Sequence, residues 1–317
     1  MLMAMITHHP CSRRDALGAS IVGLSTLGGL PLAARPLEAL PGALPWNNPR
    51  ENVRTMARLT STLEPGKVGH VRYQGKAFAL LDDGRNLPLY EIDGIGVLRS
   101  LPQERGAVRF LFSEFALYID PATGRPLERW TNPVTNREVE VWHMRNGPVN
   151  YELAPDKASF GAFDRTDGAS GAGFQLPWVR RGPFATFALD VVSNRPNALD
   201  PAEWPLESSG KTLMTTEHSQ YSMLERDLLN RRLLSMPFFA SLQSLKPWHP
   251  WMLMGQRPGR VFTRMVAQKV GGPDVLPPER LAYARANLAE FMEPPSAWTG
   301  QYVTQQAIYK ATRKPQQ

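Results

Sequence analysis

The sequence predicts a mainly β fold: an antiparallel, lipocalin-like barrel or strongly curved sheet with a few short helices, the alternative being a two-sheet β-sandwich. Three observations carry this prediction. From residue 67 to 224 the chain is a succession of short runs rich in β-branched and aromatic residues, several of them alternating apolar with polar. Glycine, proline, asparagine and aspartate cluster between the runs, where turns belong. Helical spacing is confined to a few short stretches.

Taken in order, Asn48-Pro49-Arg50-Glu51 opens a helix over 49–60, with asparagine as cap and proline in the first turn. Residues 68–73 and 76–81 read as a hairpin around Gln74-Gly75. Runs 87–98 and 108–119 follow; in the second, Phe110, Phe112, Phe115, Leu117 and Ile119 mark one buried face, with a slip between Phe112 and Phe115 that predicts a bulge. Asp120-Pro121-Ala122-Thr123-Gly124 and Thr131-Asn132-Pro133-Val134-Thr135-Asn136 are turns flanking a short strand at 127–130. Residues 138–144 alternate, Gly147-Pro148 turns the chain, and 149–153 return. The glycine-rich stretch 164–173 reads as a loop or lid, 184–192 and 211–224 as strands, and 224–233 and 278–293 as short helices, the last bounded by proline pairs.

The first 43 residues read differently. An acid-free leader, Ser12-Arg13-Arg14-Asp15-Ala16-Leu17 and a weakly apolar run to Ala34 have the layout of a twin-arginine signal peptide, followed by a proline-containing spacer. The expectation is therefore a signal and spacer over 1–43, one β-rich domain over 44–317, and a periplasmic or otherwise exported location reached through the twin-arginine machinery. The run is too short and too glycine-rich for a stable membrane span. The single cysteine, Cys11, would leave with the signal, so disulfides, thiolate chemistry and cysteine-built zinc sites are excluded from the mature protein. The formal charge of +7 is spread without a basic run, which argues for solubility and against a nucleic-acid partner.

Two ordered blocks are specific. The first runs through Tyr118-Ile119-Asp120-Pro121-Ala122-Thr123-Gly124, Trp130-Thr131-Asn132-Pro133, Val139-Glu140-Val141-Trp142-His143 and Asn146-Gly147-Pro148-Val149-Asn150; the second is Trp248-His249-Pro250-Trp251-Met252-Leu253-Met254-Gly255 with Gly259. Together they resemble the DUF1838 family, whose members are often exported by the twin-arginine route. The resemblance implies export and a single domain, and no chemistry.

Candidate site residues follow from side-chain type and strand parity. The segment around Trp248, Trp251, Met252 and Met254, joined by Trp130 and Trp142, suits either a core plug or the wall of a pocket for a small hydrophobic or aromatic molecule. Asn132, Asn146 and Asn150 are either turn formers or ligand contacts, because a buried amide must be satisfied. His143 and His218 are candidate acid and base, with Tyr118 or Glu217 beside them. On a strand at 215–221, Thr216, His218 and Gln220 share one face and Glu217, Ser219 and Tyr221 the other, so one of these polar faces should line water or a ligand. No HxH, HExxH, GxSxG, P-loop or GxGxxG pattern in the right context is present, and Asp164, Asp167 and Asp190 lack EF-hand spacing, so neither a metal nor a cofactor is expected. The functional expectation is an exported pocket protein for a small hydrophobic or aromatic molecule. The alternatives are a cofactor-independent lyase, isomerase or hydrolase with a histidine acid–base, and an envelope protein acting through a protein partner.

Overall fold

The computed structural model describes residues 47–103, 106–160, 163–164, 174–297, 300 and 302–316; the signal reading of 1–43 and most of the glycine-rich stretch, 165–173, lie outside them. The first element is α1 (Pro49–Thr60). Asn48 caps it as the sequence requires, its Oδ1 accepting the Arg50 and Glu51 amides at 3.0 and 3.4 Å. Then come β1 (Val68–Leu80), β2 (Asn86–Ser100), β3 (Val108–Ile119), β4 (Arg129–Thr131), β5 (Glu138–Glu140), β6 (Met144–Ala154), β7 (Lys157–Phe160), β8 (Phe163–Asp164), β9 (Trp178–Arg181), β10 (Phe184–Pro196) and β11 (Thr212–Leu224). The chain continues with α2 (Glu225–Leu229), β12 (Phe239–Lys246), β13 (Arg260–Val270), α3 (Pro278–Asn287) and α4 (Gln305–Thr312).

Eleven strands form one antiparallel sheet in the order β8-β7-β6-β3-β2-β1-β13-β12-β11-β10-β9, and β4 pairs with β5 in a separate ribbon. The large sheet curls into a half-barrel, with β8 and β9 at its two edges. The strongly curved sheet foreseen from the sequence is therefore the architecture. Among the described residues no helix is long and apolar enough to cross a membrane.

Several local expectations are corrected. Gln74-Gly75 is not a turn: β1 runs straight through it, paired with β13. Gly75 is there for closeness, since a Cβ would stand 2.1 Å from the Arg264 carbonyl oxygen. Gly147-Pro148 is likewise inside a strand, where β6 inserts its extra residue opposite Ser113; the irregularity expected near Phe112 is real, but the partner strand supplies the added residue. The apparent slip in β3 has another origin, because β3 is buried on both faces. Val108, Phe110, Ala116 and Tyr118 join the main core on the concave side. Phe115, Leu117 and Ile119 join a second core beneath Ala284, Leu288 and Phe291 on the convex side.

That second core contains a buried carboxylate. Asp93 of β2 is 1% exposed and takes Nε and Nη2 of Arg72 at 2.9 Å each and Nη1 of Arg280 at 2.7 Å. Arg280 also donates to the Gly124 carbonyl from Nε and Nη2, tying α3 to the turn after β3. The fully hydrogen-bonded triad meets the condition under which buried charge is tolerated.

Candidate functional site on the concave face

Strand parity decides which side chains enter the half-barrel. On β3 the concave positions are Phe110, Phe112, Glu114, Ala116 and Tyr118, so one carboxylate interrupts an otherwise apolar row. Glu114 Oε1 accepts from the Asn146 amide at 3.0 Å, and Oε2 accepts a longer contact from the Tyr73 hydroxyl at 3.4 Å. Tyr73 reaches it from β1 by lying across Gly94, its partner on β2; a Cβ at residue 94 would fall 2.4 Å from the tyrosine ring. Burial pushes the Glu114 carboxyl above the ordinary carboxylate range, and Glu217 adds to the shift; Asn146, Lys246 and Tyr73 act against it.

The other flank of the concavity supplies opposite charge. Lys246, at the end of β12, pairs with Glu217 of β11 at 2.8 Å. The Lys246 ammonium holds Glu217 below the usual range. Burial works to lower Lys246, but Glu217 and Glu114 outweigh it and the ammonium is raised. These side chains are enclosed by protein yet retain open surface, 32% for Lys246 and 44% for Glu217, which is the signature of groups lining a concavity. Arg195 of β10 and Tyr302, just before α4, act electrostatically on the same cluster. Tyr221, on the Glu217 face of β11, is raised to about 12 by burial and by Glu217, and its ring stacks on Phe187 at 4.9 Å.

Two residues beyond Ala116 on the same face, Tyr118 begins an aromatic group. Its ring lies 5.3 Å from Trp251, 5.6 Å from His249, 5.7 Å from His143 and 4.6 Å from Tyr90; Trp130 meets Trp251 edge-on at 5.5 Å. Tyr118, Trp142, His249, Pro250 and Trp251 line a crevice closed by Gln305 and Gln306 of α4, with room for about one water molecule. Both histidines here are held neutral. Burial, then Arg145, push His143 down to about 3 against the opposing Leu127 carbonyl, and burial, then Lys246, push His249 down to about 3. Because His143 Nδ1 accepts the Tyr118 amide at 3.1 Å, the proton of the neutral ring sits on Nε2. The Tyr118 phenol is pushed up by burial. The Trp251 indole N–H leans toward it and acts in the other direction without closing a hydrogen bond of ordinary geometry.

The sequence-derived candidates divide accordingly. Tyr118, His143, Trp130, Trp142 and Trp251 come together in the aromatic group, and Asn146 and Glu217 come together in the polar cluster. Trp248, Met252 and Met254 are buried as packing, with the Trp248 indole donating to the Arg257 carbonyl at 2.9 Å. Asn132 is fully buried and joins the two sequence blocks: its amide donates to the Met252 carbonyl at 2.9 Å and to Met254 Sδ at 3.2 Å, while Oδ1 accepts the Val134 amide. Asn150 is exposed on the convex side of β6. His218 also lies outside: its side chain is 55% exposed and meets Asp190 of β10 at 2.8 Å. The expected His143–His218 pair is therefore not formed, since His143 is buried just before β6 while His218 lies exposed on β11, several strands away in the sheet. Glu114, Lys246, Arg195, Tyr73, His249 and Tyr302 are not singled out as site residues by the sequence. Parity alone could have flagged Glu114, a carboxylate in register with Phe110, Phe112 and Tyr118.

A shallow cleft of about 490 Å³ beside Asn47, Leu176, Pro177, Trp178 and Arg180 is larger but gathers no comparable titratable cluster. Among the described residues no group of three or more histidine, cysteine, aspartate or glutamate side chains is placed to hold a metal ion. The model of a protein family of unknown function, DUF1838, matches residues 66–312. The chain belongs to the DUF1838 family. The DUF1838 match runs from just before β1 to the last residue of α4, so the polar cluster, the aromatic group and the closing helix all lie inside it. No curated protein matches the chain.

Proposed function

We propose that this DUF1838 chain is exported by the twin-arginine route and then holds a small, largely apolar or aromatic molecule on its concave face, where Glu114 moves a proton on or off it. One observation carries this reading. A carboxyl kept above its ordinary range, held by Asn146 and Tyr73, faces a lysine–glutamate pair that retains open surface, beside an aromatic wall. Raising a carboxyl above its ordinary range moves it toward the pH at which it can both accept and donate a proton. The neutral histidines His143 and His249 are poor acids and weak bases at pKa values of about 3, so they support packing and orientation instead. The reaction class is proton transfer of the isomerase kind, in which Glu114 as carboxylate takes a proton from one atom of the bound molecule and, as the acid so formed, returns it to another.

Deuterium incorporation tests this whatever the substrate is. A small-molecule extract incubated in D₂O with the purified mature protein should yield one or a few compounds that gain a deuteron, and Glu114→Gln should abolish the exchange. No labelled compound, or equal labelling by the variant, would overturn the acid–base role. If a compound co-purifies and binds both forms without exchange, the pocket-protein reading remains and the enzymatic one falls.

A further inference from the structure

We propose that the concave face carries an anion subsite, formed by Arg195 and Lys246, that receives the carboxylate of an aromatic or apolar monoacid. This inference rests on the small-molecule reading above and names its ligand class.

The argument begins with an unmet donor. Arg195 is a concave-face residue of β10, and its Nη2 donates to Gln306 Oε1 at 3.0 Å. Its Nη1 is buried and has no acceptor among the described residues. A guanidinium presents its donors as a rigid planar fork suited to a carboxylate, and a buried donor without an acceptor calls for a partner. Charge points the same way. Lys246 is paired with Glu217, whereas Arg195, a second cation acting on the same cluster, is held among the described residues by the neutral Gln306 amide oxygen. The phenols of Tyr302 and Tyr221 adjoin the same charges and can donate to an anionic oxygen. The nearby aromatic group begins at Tyr118 and His249, and Lys246 acts on His249 directly. Leu189, Leu242 and Met265 lie on the concave face beside these charges and stay partly uncovered, so a ligand with an apolar ring at one end and a carboxylate at the other matches what the face offers.

The test uses 1-naphthoate and its neutral counterpart 1-naphthamide, titrated by calorimetry and by tryptophan fluorescence. The carboxylate should bind at least tenfold more tightly than the amide. Arg195→Gln should remove that preference while leaving the amide's affinity unchanged, and Arg195→Lys should restore part of it. Equal affinities in the wild-type protein would overturn the anion subsite and leave the small-molecule site intact, as would equal weakening of both ligands by Arg195→Gln with no rescue by lysine. Binding of neither compound would overturn both.

Discussion

Two buried carboxylates on opposite faces of the same sheet are handled in opposite ways. Asp93, facing the convex core, is met by two arginines and has both oxygens engaged in short, well-formed bonds. Glu114, facing the concavity, has an amide and a distant hydroxyl, and Lys246, the cation that acts on it, is paired with a different carboxylate. A charge completely satisfied within the protein locks elements together, here β1, β2 and α3. A charge left short of partners beside open surface is available to something that arrives from outside. The contrast separates structural from functional burial on this sheet, and single substitutions on either face challenge it.

The largest effect should come from the convex side. Asp93→Ala leaves two guanidinium groups against an apolar core and should cost about 3–5 kcal/mol, read as a fall in the urea midpoint. Acid should act next, through the two histidines. Their folded-state values of about 3 lie below an unfolded value near 6.5, so the unfolded chain takes up protons first. The stability they contribute is intact above pH 6.5 and is lost as pH falls toward 3, by about 2 kcal/mol for each histidine at pH 5. Urea titrations at pH 7 and pH 5 should show this loss, and His249→Gln should remove about half of the histidine component. Third, Gly94→Ala should cost about 1–3 kcal/mol, because the new methyl group meets the Tyr73 ring, and should disturb the Glu114 contact with it.

Glu114→Gln should make the difference between the faces plainer by doing little harm. Its folded value is raised, so the wild-type carboxyl favours the folded state when protonated and loses that advantage as pH rises through its folded value. The glutamine variant should therefore match or exceed wild-type stability at pH 7, with the difference shrinking below the ordinary glutamate range, as urea midpoints at pH 4 and pH 7 would show. The smallest effect is expected from His218→Ala, which breaks an exposed pair on the outer surface: less than about 1 kcal/mol, and no change in ligand binding.

The legibility of the sequence follows the same division. Elements with strong local signals are readable: α1 with its asparagine cap, β3 with both of its boundaries, and the Asp120 and Asn132 turns, whose carboxylate and amide side chains bond backbone amides two residues on. Strands β12 and β13 carry no such signal. The concave positions of β12 are Ala240, Leu242, Ser244 and Lys246, and those of β13 include Thr263 and Lys269, so the apolar–polar alternation that signals a half-buried strand is blurred where the face is polar. The site is hidden for a related reason. Glu114, Arg195, Glu217 and Lys246 come from four strands, and only sheet order and register bring them to one face. His143 and His218 stand out by residue type, yet one is buried neutral in packing and the other is outside.

The most direct measurement is a crystal structure of the mature protein grown with 1-naphthoate. The account predicts density for the carboxylate between Arg195 and Lys246, within reach of Glu114, and for the ring against the partly uncovered concave side chains Leu189, Leu242 and Met265. Density confined to the cleft at Trp178 or to the outer face around His218, with the Glu114–Lys246 concavity unchanged, would contradict it.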